Sequence, residues 1–284
     1  MNLTSFVTLK GKEFRNQVQV LFSLTAQTNA QKGLEGTLMT TIDLSIVIIT
    51  LNEEHHLPRL LADLNLQTWQ NFEIIHVDSA STDNTVPLSQ RHAKNFGHYR
   101  IVQMEKRGVS LGRNTGAAQA KGRRILFLDA DTRLPPNFLA ESMWELEYRS
   151  LDIGIVLMSS YRLPAKQVIG YELMNLGITL SRRFFPTAVG ACLFSTPQTH
   201  EAIGGFDEKL KLCEDCNYVL KAQKTGRFSG QIIKPRFMFN PRRLNQDGIL
   251  RTGWTYLKAN LLRFFKGELY KNEVPYEFGH YSNT

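Results

Sequence analysis

The sequence predicts an open α/β fold, a mostly parallel twisted sheet flanked by helices, and three observations carry the prediction. Apolar, β-branched runs of strand length recur along the first half of the chain, as in strands covered on both faces. Segments with apolar residues at helical spacing separate them. Polar clusters stand where the runs stop, at the sheet edge where open α/β proteins bind ligands.

The first run, Leu44-Ser-Ile-Val-Ile-Ile-Thr-Leu51, reads as a buried parallel strand. Asn52-Glu-Glu-His-His follows, and then Leu57, Leu60, Leu61 and Leu64 mark a helix. Phe72–Val77 is the second strand; the loop Asp78–Thr85 leads to a helix over about Val86–Phe96. Further strands are expected at Tyr99–Gln103 and Arg124–Asp129, with a helix at Ser110–Ala120 between them. Pro135 and Pro136 suit the first turn of a helix running to about Arg149. This alternation implies parallel, right-handed βαβ units. From Ile153 to Phe239 the pattern weakens, and edge strands and helices completing the same sheet are expected.

The chain has 284 residues, 42% of them hydrophobic, enough for one domain with peripheral additions. Residues 1–42 read as an N-terminal extension, with Phe14–Leu24 a lead helix or part of a poorly ordered stretch and no function assigned, 43–239 as the α/β domain and 240–284 as a basic amphipathic segment. The net charge of +8 favours phosphate-bearing ligands, nucleic acid or an anionic membrane surface. Nucleic acid is set aside, because the basic residues do not gather with base-stacking aromatics into a recognition motif. Three cysteines are too few for a disulfide framework and point to a reducing cytosol. Cys213-Glu-Asp-Cys216 has zinc-knuckle spacing but lacks a second ligand pair. No apolar run reaches the roughly 20 residues of a spanning helix, so a cytoplasmic chain, peripheral at most at the inner membrane face, is expected.

Taken singly, the clusters Asn52-Glu53-Glu54, Asp78–Asp83 and Asp129-Ala-Asp131 are ordinary turns or helix caps. Three of them at strand ends make a ligand site the better reading. Asp129 and Asp131 straddle one alanine as a strand stops, so a kinked backbone can aim both carboxylates, or one and a water, at one cation. Oxygen-only donors suit Mg²⁺ or Mn²⁺, completed by diphosphate oxygens and neutralising a departing nucleotide diphosphate. Gly112-Arg-Asn-Thr-Gly116 lacks the spacing of a P-loop or a dinucleotide fingerprint and opens a helix, whose small residues allow close packing on the sheet.

Ser45–Glu54, Val77–Thr85, Gly112–Gly122, Phe127-Leu-Asp-Ala-Asp131, Gly204-Gly-Phe-Asp207 and Glu214-Asp215, in that order, resemble the family 2 glycosyltransferases of the GT-A fold over roughly Leu44–Gly226. The resemblance implies a Rossmann-like nucleotide-binding core and a UDP- or GDP-sugar donor. It implies that Thr50, Asn52 and Glu53 line the nucleoside pocket, that Asp78 contacts the base with Asp83 in the same loop, and that Arg113 sits near the nucleotide. Asp131, helped by Asp129, would hold the metal, and Asp215, beside Glu214, would be the catalytic base. A carboxylate in reach of an acceptor hydroxyl supplies that base, and one base without a second carboxylate nucleophile implies inversion. Glu214 and Asp215 also suit a helix start, where negative charge is favoured, and both readings can hold. Ser79 stands where the family pattern is often acidic, which leaves the nucleotide open. The Gln-x-x-Arg-Trp signature of processive synthases is absent, only Arg251-Thr-Gly-Trp254 standing in its region, which favours addition of a single sugar.

Ile249–Lys266 has apolar residues at helical intervals beside Arg251, Lys258, Arg263 and Lys266. It fits a helix lying in an anionic membrane interface, which suits a lipid-linked acceptor, or a helix packed on the catalytic domain. Arg242 and Arg243 are candidates for a lid that clamps the donor diphosphate. The function expected is transfer of one sugar to a hydroxyl acceptor, sugar or lipid-linked, such as a cell-envelope or exopolysaccharide precursor. The alternative is a non-catalytic nucleotide-sugar-binding protein that keeps the fold.

Overall fold

The computed structural model describes residues 41–182, 184–241, 248–271 and 273–274. The N-terminal extension through residue 40, together with Arg242 and Arg243, lies outside the described residues. The chain alternates as the pattern requires: β1 (Leu44–Thr50), α1 (Leu57–Asn65), β2 (Phe72–Asp78), α2 (Thr85–Ala93), β3 (Tyr99–Gln103), α3 (Val109–Ala117), β4 (Arg124–Asp129) and α4 (Phe138–Tyr148). The less regular half supplies β5 (Ile153–Met158), α5 (Ala165–Ser181), β6 (Cys192–Ser195), α6 (Pro197–Ala202), α7 (Glu214–Thr225), β7 (Gly230–Phe237) and α8 (Ile249–Lys266).

These strands form one seven-stranded sheet in the order β3-β2-β1-β4-β6-β5-β7. Only β6 runs against its neighbours, antiparallel to both β4 and β5. Period-two alternation sends successive residues to opposite faces. Ile46, Ile48, Leu126 and Leu128 join Leu57, Leu60, Leu61 and Leu64 of α1 in one core. Val47, Ile125 and Phe127 join Phe206 and Tyr218 in the other. Register then fixes the site edge, since Thr50 pairs with Asp78 and Ile49 with Asp129, so the polar ends of β1, β2 and β4 are level.

The glycines of α3 let it lie on β1: a Cβ at Gly116 would stand 2.3 Å from Val47 Cγ1. The helix ends at Ala117 rather than at the expected Ala120. The next turn is captured below the sheet, where Ser45 Oγ accepts from Gly122 N at 2.8 Å and Glu73 Oε1 accepts from Lys121 N at 2.7 Å. Helix α2 likewise stops three residues short of the expected Phe96. Pro135 and Pro136 precede α4 rather than occupying its first turn, and Pro135 O accepts from Phe138 N.

Candidate active site

The loops after β1 and β2 are laced together by the residues the sequence marks for the nucleoside. Asn52 takes a left-handed conformation (φ 56°), and its Oδ1 accepts from Thr82 N at 2.8 Å. Asp78, buried at the end of β2, accepts from Thr50 Oγ1 at 2.9 Å, Ser81 N at 2.9 Å and Ser81 Oγ at 2.5 Å. Asp83 organises the start of α2, accepting from Thr85 N, Thr85 Oγ1 and Glu54 N. Glu53 N donates to Thr85 Oγ1 at 2.8 Å, and its buried carboxylate lies 2.8 Å from His56 Nδ1. The other ring nitrogen of His56 is 3.0 Å from Asn240 Nδ2, so the residue just ahead of the basic pair Arg242-Arg243 is tied to the first loop. Behind Thr50, His76 bridges Thr50 Oγ1 and Ser89 Oγ at 2.8 and 2.7 Å. Burial lowers its pKa from 6.5 to about 4, so the ring is neutral.

Arg113 organises the second part of the site. It is 2% exposed, beneath the surface rather than lining it. Its Nη2 donates to Asp129 Oδ1 at 3.0 Å and its Nη1 to Glu214 Oε1 at 2.8 Å. The guanidinium carbon lies 5.2 Å from the centre of the Phe206 ring, within cation–π range. Thus Asp129 at the end of β4 and the acidic start of α7, distant in sequence, meet on one buried cation. Burial and the neighbouring Asp215 push the Glu214 carboxyl above its usual range, while Arg113 pulls the other way.

Both carboxylate oxygens of Asp215 accept from backbone, Oδ1 from Cys216 N at 2.7 Å and Oδ2 from Gly190 N at 2.6 Å. A Cβ at Gly190 would come within 2.9 Å of Arg113 Nη2 and 3.1 Å of Asp215 Cβ, so only glycine lets the strand lead-in pass between them. Cys213, just before the helix, takes a left-handed conformation (φ 60°) that turns the chain into α7. The buried Glu214 and part-buried Asp215 follow directly.

At the end of β4 the chain turns, Thr132 N and Oγ1 both donating to Asp129 O. Ala130 is buried between the half-buried Asp129 and Asp131. Arg113 therefore joins Asp129 to Glu214 and Asp215, and the Asp131 charge, together with burial, raises the pKa of Tyr171 of α5. Tyr171 Oη donates to Phe239 O at 3.2 Å, connecting α5 to the end of β7. Among the described residues no three acidic, histidine or cysteine side chains cluster as a metal site. Asp129 and Asp131 still fit a hard cation, as two oxygen donors at a turn, provided a ligand completes the shell. Sequence reasoning missed Gly190 and Tyr171; neither lies in a polar cluster, and only the fold brings them to the acids.

Comparison with known proteins matches this site edge. Residues 45–160 match the family model described as glycosyl transferase family 2. The uncharacterized glycosyltransferase YibD of Escherichia coli (strain K12) is 32% identical over 115 residues, covering 40% of this chain and 33% of that protein. Poly(ribitol-phosphate) beta-N-acetylglucosaminyltransferase TarS of Staphylococcus aureus (strain Mu50) is 25% identical over 183 residues, 63% of this chain and 32% of that one. These matches span about a third of the length of either relative. The mannosyltransferase PcManGT from Pyrobaculum calidifontis, solved with GDP-Man and Mn²⁺, shares the fold with a TM-score of 0.62 at 19% identity, over 91% of this chain and 73% of that one. The chain thus has the fold of these glycosyltransferases, and its residues 45–160 are similar to glycosyl transferase family 2.

Proposed function

We propose that the chain is an inverting glycosyltransferase that moves a single sugar from a nucleoside-diphosphate sugar to a hydroxyl of a lipid-linked or cell-envelope acceptor. The observation that supports it most is the meeting of Asp129, Glu214 and the Asp215 helix on buried Arg113, one loop away from a pre-tied nucleoside pocket. That TarS has been solved with UDP and PcManGT with GDP-Man supports a UDP- or GDP-sugar donor.

In this reading Thr50, Asn52, Glu53, Asp78 and Asp83 form a rigid nucleoside cradle, their hydrogen bonds made before the donor arrives. Asp215 is the base. A carboxylate accepts at about four lone-pair positions, so two backbone bonds fix its orientation and leave room for an acceptor hydroxyl. The acceptor oxygen attacks the anomeric carbon, its proton passes to Asp215, and the bond to the diphosphate breaks on the opposite face with its electron pair. Glu214 acts through Arg113 as a positioning residue, keeping the helix start beside Asp129. Asp131 and Asp129 would hold Mg²⁺ or Mn²⁺, which neutralises diphosphate charge when bound. Arg242 and Arg243 clamp the same diphosphate from the segment rooted at Asn240; charge reversal at both that left donor affinity unchanged would remove them from this role. The three free, buried cysteines suit a reducing cytoplasm.

A thermal-shift screen of UDP- and GDP-sugars with and without Mn²⁺ tests the reading. One donor should raise the melting temperature more with Mn²⁺ than without it, and Asp131→Ala should remove that increment. If no nucleotide sugar shifts the wild-type chain under either condition, the donor assignment is wrong.

A further inference from the structure

Helices α5 and α8 each leave a set of large apolar side chains exposed. α5 turns Gly170, Tyr171, Asn175 and Ile178 inward and presents Ile169, Leu173, Leu176 and Leu180 to solvent, these last being 60%, 60%, 51% and 67% exposed. α8 buries Thr252, Ala259 and Arg263 and presents Trp254, Leu257, Leu261, Phe264 and Phe265, the last 77% exposed. Arg263 is held inward by Glu268, at 2.8 and 3.0 Å, and lies 4.8 Å from the centre of the Phe185 ring. A helix on a water-soluble protein buries its apolar stripe. Here two neighbouring helices, in contact with each other, leave a second set of large apolar side chains exposed. Exposed large apolar side chains gathered on two touching helices mark an interaction site.

We propose that this paired face docks on an anionic phospholipid bilayer, lying in the plane of the headgroups. Charge selects that occupant. Exposed Lys166 and Arg182 bracket the α5 stripe, and Arg251, Lys258 and Lys266 run along the outer side of α8. The acidic residues of the two helices and the turn after them are already engaged, Glu172 with Arg236 and Glu268 with Arg263. Exposed tryptophan and phenylalanine beside lysine and arginine match the interface of a bilayer with anionic headgroups. No helix among the described residues is long and apolar enough to cross a membrane, which leaves the surface as the place of contact.

The same helices back onto the candidate site. Tyr171, on the inner side of α5, is within the electrostatic reach of Asp131. Ala259 of α8 packs in one cluster with Cys213 and Cys216, which flank Asp215. Given the transferase reading above, docking through this face sets the acidic loops next to the headgroup layer, where a lipid-linked acceptor presents its hydroxyl.

The test uses the full chain and sedimentation with phosphatidylcholine vesicles, with or without phosphatidylglycerol. Binding should be about tenfold tighter or more with phosphatidylglycerol and should weaken with salt. Combining Leu173→Glu on α5 with Phe265→Glu on α8 should weaken binding about tenfold or more, with the melting temperature and donor-binding calorimetry unchanged because both side chains are exposed. Equal binding to both vesicle types, or a double variant that binds like wild type, overturns the proposal. So does a wild-type dimer that the double variant dissolves, since a second copy would then be the occupant. Vesicle binding without any donor binding upholds the docking face and sinks the transferase reading, whereas donor binding without vesicle binding sinks the docking face alone.

Discussion

The two halves of this sheet solve opposite problems. From β1 to β4 the strand ends are polar, and their hydrogen bonds are made among themselves: Asp78, Asp83 and Asn52 each accept from neighbouring loop groups. Around α5 and α8 the buried sides mix Tyr171 and Ile178 with asparagine, threonine and arginine, while a set of leucines, Trp254, Phe264 and Phe265 face out. In the proposed reading one half is preorganised for a small charged ligand, and the other offers exposed apolar side chains to a membrane surface. The difference teaches that rigidity and stickiness are separable here, so substitutions in each half should fail in different ways.

The largest effect on stability should come from Arg113→Ala. It strands buried Glu214 and half-buried Asp129, and removing one partner of a buried ion pair costs about 3–5 kcal/mol. Urea denaturation should show that loss, and Arg113→Lys should recover part of it, since an ammonium keeps the charge without the two-pronged geometry. Next, Asp78→Ala removes the acceptor for Thr50 and Ser81, costing about 1–3 kcal/mol of stability and weakening donor binding by calorimetry. An effect on donor binding as small as that of the α5 and α8 substitutions would erase the contrast between the halves.

His76 makes the polar half acid-sensitive. Its folded pKa is lowered from 6.5 to about 4, so as pH falls below 6.5 the unfolded chain takes up the proton first. Stability from this residue is full above pH 6.5 and is lost on the way down to pH 4. Between pH 7 and pH 5 the loss should be on the order of 2 kcal/mol in urea titrations, and His76→Gln should flatten that part of the profile. The smallest effect should be that of Asn240→Ala, about 0.5–1.5 kcal/mol from one hydrogen bond to His56.

Much of the polar half was legible in the sequence because it obeys local rules. Ile46–Ile49 and Ile125–Leu128 are unbroken apolar runs that stop just before a polar cluster, so both the strand and its polar end can be read from the run itself. The resemblance pointed to Arg113, but not to its burial or its grip on Glu214, because that pair spans 101 residues and depends on sheet order. Gly190 carried no signal, since its role is a close approach that exists only after folding. The face of α5 was unreadable for a different reason. Periodicity at Ile169, Leu173, Leu176 and Leu180 marks a helix face but does not say whether that face turns to the core or away from it. Ile249–Lys266 forms its expected helix, burying Thr252, Ala259 and Arg263, with Tyr256 and Leu262 partly buried beside them, while Trp254, Leu257, Leu261, Phe264 and Phe265 stay exposed.

The central claim is that Asp215, pinned by Gly190 and Cys216 beside the Arg113 ion pairs, is the group that takes the acceptor's proton. Asp215→Asn keeps the size of the side chain and removes the base, its amide oxygen still able to accept from one of the two backbone groups, Gly190 N or Cys216 N. Paired calorimetry of donor binding and turnover of that donor with Mn²⁺ should show affinity within about twofold of wild type and turnover lower by about 100-fold or more. Turnover at the wild-type level in Asp215→Asn would contradict the account.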